Sequence, residues 1–191
     1  DCGNCKGCSD CCHGMGDSVV IDPYDMFRLS TGLKLRFEEL LADKLALGVV
    51  DGIVLPHLNM SGAHEACLFL SKDGRCTIHE FRPGICRLFP LGRYYEENGF
   101  KYFLQSGECK NQGRTKIKVK KWIDTPNVQA YEAFVLDWHM FLENLIKQLK
   151  EADEGLVKKI SMLVLNLFYI KPYDESRDFY EQYYERRKQF C

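Results

Sequence analysis

No stretch of this sequence is apolar enough to cross a bilayer. The longest such run, Ile160 to Ile170, is broken by Ser161 and Asn166 and falls short of the ~20 residues a membrane helix needs. Charge of one sign is also missing: 26 Lys and Arg against 27 Asp and Glu leave a formal net charge of −1, which gives no general pull toward nucleic acid or anionic lipid. There is no G-x-G-x-x-G loop, no Ser, His and carboxylate set arranged for hydrolysis, no low-complexity tract and no repeat at solenoid periods. No hydrophobic leader opens the chain, which starts at Asp1. A soluble protein with no nucleic-acid or membrane partner is the expectation.

What the sequence does have is sulfur. Of ten cysteines in 191 residues, five fall in the first dozen, Cys2, Cys5, Cys8, Cys11 and Cys12, at intervals of three before an adjacent pair. A chain of this length buries enough surface to fold without staples, so the thiols must be explained by what they bind or cross-link. The spacers Lys6-Gly7 and Ser9-Asp10 are small or polar, as in loops that wrap successive sulfurs round one centre, and consecutive disulfides would compete inside so short a loop. Metal ligation is therefore the better reading. In an extended backbone Cys11 and Cys12 point opposite ways, which favours two binding environments for the pair. Cys67, Cys76, Cys86 and Cys109 each sit beside a turn signal, making nine candidate ligands with the first five, enough for two four-thiolate centres or for a cluster and a structural ion. Cys191 stands apart as a bystander.

Between and beyond these cysteines the patterning predicts an α+β fold. Ser18–Ile21 reads as extended, Asp22-Pro23 as the cap of a helix to about Ser30 ended by Thr31-Gly32, and Arg36–Leu47 as an amphipathic helix. Three hairpins follow: Val49-Val50 with Ile53–Leu55, Cys67–Leu70 with Arg75–Ile78, and Arg93–Tyr95 with Phe100–Phe103, a bend at Arg82-Pro83 separating the last two. Lys116, Lys118 and Lys120 alternate with Ile117 and Val119 as on a solvated edge strand. Helices are expected over about 127–150, 154–170 and 175–190, the middle one apolar nearly all round and hence buried. The expected whole is a single domain over 1–191: a cysteine-rich metal-binding loop with a small antiparallel sheet (1–112), then a helical subdomain (122–191).

Cys5-x-x-Cys8-x-x-Cys11-Cys12, Cys67-Leu-Phe-Leu70, Cys76-x-Ile78 and Arg82-Pro83-x-x-Cys86-Arg87-x-Phe89-Pro90 together closely resemble the CxxCxxCC, or YkgJ-like, family of zinc- or iron-chelating proteins. The resemblance covers about residues 5 to 109. It implies a prokaryotic, cytoplasmic metal-binding protein and marks Cys5, Cys8, Cys11, Cys12, Cys67, Cys76 and Cys86 as the signature thiols. The family pattern does not require Cys2, and its usual tyrosine after Ile78 is His79 here. The same module is similar to part of the flagellin lysine N-methylases, in which an iron–sulfur cluster accompanies S-adenosylmethionine-dependent methyl transfer. That implies a second reading, a cluster-dependent lysine N-methyltransferase acting on a protein substrate. The three-cysteine signature of most radical enzymes is absent, and nothing after residue 122 matches the methylase.

Three local cysteines and a remote one before proline-containing sequence fit ferredoxin-type ligation of a [4Fe–4S] cluster. Zinc is satisfied by the same sulfurs as paired knuckles, with a structural zinc-binding interaction module as the outcome. Arg82 and Arg87 flank Cys86 as candidate donors to the sulfurs or as ordinary surface arginines. His13, His57, His64, His79 and His139 read as polar loop, sheet or helix residues, since thiols are already sufficient, and Phe179, Tyr180, Tyr183, Tyr184 and Phe190 follow helical spacing, as packing residues do.

Overall fold

The computed structural model describes residues 8–109 and 115–190. The readings that fall on Cys2, Cys5, Cys191 and the start of the basic segment lie outside them.

Helix α1 (Pro23–Leu33) begins where Asp22 accepts the Asp25 N–H at 2.8 Å and Pro23 occupies the first turn. It runs through Thr31-Gly32, which do not end it, and stops at Lys34 in the left-handed region (φ 58°). The expected helix over Arg36–Leu47 is cut to α2 (Phe37–Leu41), because Leu45 is already in β1 (Leu45–Val50). Its apolar spacing was real, with Phe37 and Leu40 buried, but Leu45 is held by Leu58 across a hairpin rather than by a further helical turn.

That hairpin, β1 with β2 (Ile53–Leu58), turns at Asp51-Gly52 as expected. Residues 18–21 are extended against its far edge, where Leu58 N–H donates to Val19 O and Ile21 N–H to Pro56 O. The second expected hairpin is largely absent. Cys67 ends β4 (Ala66–Cys67) opposite Met60 of β3 (Met60–Ser61), and only a single bridge, Leu70 to Cys76, spans the Ser71–Gly74 turn. The chain does turn over Lys72-Asp-Gly74, where Gly74 N–H donates to Ser71 O, but the segments on either side pair with each other only briefly. After Arg82-Pro83 comes the short α3 (Gly84–Leu88), then the third hairpin, β5 (Leu91–Glu96) with β6 (Gly99–Leu104). Among the described residues the strands form three separate two-stranded sheets, not one.

The lysine-alternating segment is not a strand either. Val119–Ile123 form α4, which buries Ile123 and anchors Trp122 through an indole N–H donated to Leu88 O at 3.1 Å. The long α5 (Val128–Leu149) follows, capped by Asn127. Helix α6 (Glu154–Leu165) packs one side on β2, where Ser161 accepts the Val54 N–H, and leaves Leu156, Met162 and Leu163 40–46% exposed. It is not the central buried strut that its composition implied. Its chain continues as a π-helical turn, Asn166–Ile170, and ends in α7 (Phe179–Arg187).

One apolar cluster runs from Val19 and Ile21 to Phe179 and Tyr183. Tyr24 of α1 lies at its middle, with ring centroids 5.5 Å from Tyr131, 5.0 Å from Phe179 and 5.7 Å from Tyr180. The buried Tyr169 hydroxyl donates to Ile21 O at 2.9 Å, fixing the helices to the strand that leads out of the cysteine run.

Candidate metal centre

Cys11 and Cys12 sit in a 3-10 turn, Asp10–Cys12, closed by Cys12 N–H on Ser9 O at 2.8 Å. The turn is strapped to β4: His13 bridges to Ala66 and Gly14 N–H donates to Glu65 O. His13 itself donates from Nδ1 to Ser9 O, so its ring serves the turn. Because the backbone curls here instead of extending, the Cys11 and Cys12 side chains hydrogen-bond to each other, contrary to the alternation expected of an extended chain. That contact draws Cys11 down to about 6 and pushes Cys12 up.

Two further sulfurs come from the loop region after β4. Phe69 N–H donates to the Cys67 sulfur and Ile78 N–H to that of Cys76, the same two-residue offset in both. Backbone donors at this offset favour a thiolate, although burial outweighs them in the free thiols and raises both. Cys86 comes from α3. Burial first, then the neighbouring Asp25 carboxylate and the charges of Cys11, Cys67 and Cys76, push its thiol up.

These pieces enclose a cavity of about 450 Å³ whose wall carries six of the cysteines, Cys8, Cys11, Cys12, Cys67, Cys76 and Cys86, and the thioether residues Met15 and Met60. Cys109 is not on that wall. Among the described residues no three His, Cys, Asp or Glu side chains close on one point as a ready-made ion site does.

Arg82 and Arg87, alike in sequence, are separated by the fold. Arg82 lines the cavity, and its charge favours the thiolates of Cys11 and Cys76. One of its terminal nitrogens donates to His79 Nε2, while its buried Nε has no acceptor. Burial and the Arg82 charge hold His79 below its usual value, so the ring is a neutral acceptor. Arg87 turns the other way. It is 2% exposed, donates to the Thr125 hydroxyl and lies 3.8 Å from Asp25, itself 2% exposed, with its guanidinium 5.6 Å and 5.2 Å from the Tyr24 and Tyr131 rings. Asp25 also accepts the Gly84 N–H at 2.7 Å, so it pins the start of the helix that carries Cys86.

Of the sequence candidates, then, six thiols are brought to one cavity, Cys109 is left off it, and Cys2 and Cys5 lie outside the described residues. His57 and His139 are engaged elsewhere, on Leu58 O and on the Tyr95 ring. Sequence reasoning missed Met15, Met60 and Trp122 in the wall and Asp25 behind it, and had Phe89 only as a letter of the family motif. The cap signal at Asp22-Pro23 located the start of α1 but gave Asp25 no role at the site.

A cysteine turn, a β loop and a short helix thus line one sulfur-rich cavity, the composition expected of a metal-binding domain. The matching family model covers residues 4–121, more than half of the chain, and the chain belongs to that family: CxxCxxCC, "Putative zinc- or iron-chelating domain". Comparison with curated proteins and with solved structures finds no match. Helices α5 to α7 lie beyond the matched region. No helix among the described residues is long and apolar enough to cross a membrane.

The donor set fits such a metal. Soft thiolates suit zinc and iron–sulfur centres alike, amide N–H groups already point at two of the sulfurs, and Arg82 supplies a cation with an unused donor.

Proposed function

We propose that this protein holds a [4Fe–4S] cluster in the cavity, with its ligands drawn from Cys8, Cys11, Cys12, Cys67, Cys76 and Cys86, in a redox or accessory role. One observation supports this reading: six thiols line one cavity of about 450 Å³, more sulfur than a single tetrahedral ion uses. A tetrahedral zinc needs four ligands at roughly 2.0–2.3 Å and leaves no room at its centre, whereas a cube of iron and sulfide is itself a body to be surrounded. When bound, a cluster supplies one-electron transfer. The chain's part is to hold it: Phe69 and Ile78 N–H offset sulfur charge, Arg82 adds a cation, and the apolar wall limits water.

The test is anaerobic purification followed by iron, acid-labile sulfide and zinc analysis with visible absorbance. Iron and sulfide in equal amounts with a broad visible band are expected. Stoichiometric zinc without iron or sulfide, in aerobic and anaerobic preparations alike, would overturn the cluster.

A further inference from the structure

The cavity wall carries more than sulfur. Beside the cysteines, Pro83, Ile85, Phe89 and Trp122 line it with apolar and aromatic surface. The Trp122 indole is locked by its bond to Leu88 O, so its polar edge is spent and its ring is left for the cavity. The whole cavity is about 450 Å³, of which a cluster would fill only a part, and small-molecule sites of roughly 300–1,000 Å³ likewise pair apolar walls with a few placed polar groups.

The placed polar group is Arg82. Its buried Nε has no acceptor, and a buried charged donor without a partner carries a substantial penalty. Arg75 and Arg82 also outnumber Glu80 among the ionised residues of the wall outside the cysteines. We propose that the cavity is a binding site, beside the metal, for a small organic anion with a flat apolar body, the body lying on Phe89 and Trp122 and the anionic group on Arg82. This rests on the metal reading for the ligand's neighbour but not for its wall.

The test uses two fluorescent probes with the same aromatic body, anilinonaphthalene sulfonate, which is anionic, and N-phenylnaphthylamine, which is neutral. Both are titrated into the full chain, anaerobically as purified and after metal removal, with metal content measured on each sample. The proposal expects saturable one-to-one binding of the sulfonate, roughly tenfold tighter than the neutral dye, a preference lost in Arg82→Met. Ile85→Trp, at a side chain already 41% exposed, adds bulk to the wall and should block both dyes without unfolding the protein, as circular dichroism would check. Equal affinity for the two dyes, no saturable binding, or binding untouched by both substitutions would overturn it. A chain that holds no metal as purified anaerobically, yet binds the sulfonate selectively, would overturn the metal reading and leave this one standing. A metal-loaded chain that binds neither dye would do the reverse.

Discussion

Removing the guanidinium of Arg82 takes a cation away from the thiols of Cys11 and Cys76. In the cluster-loaded protein Arg82→Met should move the midpoint potential to more negative values, and Arg82→Lys should move it less, because charge is kept while the fork of donors is lost. A potentiometric titration reads this directly. The thiols make a second prediction. Cys67→Ser and Cys86→Ser should abolish most metal retention, whereas Cys109→Ser, off the cavity wall, should keep it, as elemental analysis would report. A third follows from burial, which raises Cys67, Cys76 and Cys86. These groups are protonated in the metal-free protein at neutral pH, so loading must expel protons and weaken as pH falls. Calorimetry of zinc binding in buffers of different ionisation enthalpy should detect the release. The thiols were legible in the sequence because density and spacing need no fold. The unlike roles of Arg82 and Arg87 were not, since only the direction in which α3 faces decides them.

Helix α3 is five residues long and could not hold Cys86 in place by itself. Its position comes from Asp25, which takes the Gly84 N–H, and from Tyr131, whose hydroxyl oxygen would clash with a Cβ at Gly84. Gly84→Ala should therefore displace α3 and cost about 1–3 kcal/mol of stability, measured by denaturant unfolding, together with metal occupancy. Asp25→Asn keeps an acceptor for Gly84 but strands the buried Arg87 charge. It should destabilise more than a surface substitution. At this scale the sequence was legible where a turn or cap residue acts locally, as at Asp22-Pro23 and Asp51-Gly52. It misled where a partner overrode the local pattern. Leu45 was claimed by Leu58, Cys67 by Met60, and the exposed face of α6 stays apolar although only Ser161, Val164 and Leu165 are buried.

The family match ends at residue 121, but the core does not. Tyr24 and Ile21 are covered by Tyr131, Phe179 and Tyr169, all beyond that limit. A fragment ending at residue 121 should lose cooperative unfolding even when metal is supplied, which thermal scans by circular dichroism would establish. Composition foretold helices after residue 122, but not that they complete the core of the cysteine-rich half, because that depends on which aromatic faces α1.

Trp122 adds a practical property. It and Trp138 are the chain's tryptophans; Trp122 faces the sulfur-lined cavity, while Trp138 is buried against Phe141 and Phe168. Light absorbed by a cluster overlaps indole emission, so filling the cavity should dim one emitter far more than the other. With the proposed cluster bound, the protein would carry its own occupancy gauge, readable in dilute solution without a label, and Trp138→Phe would leave that signal undiluted.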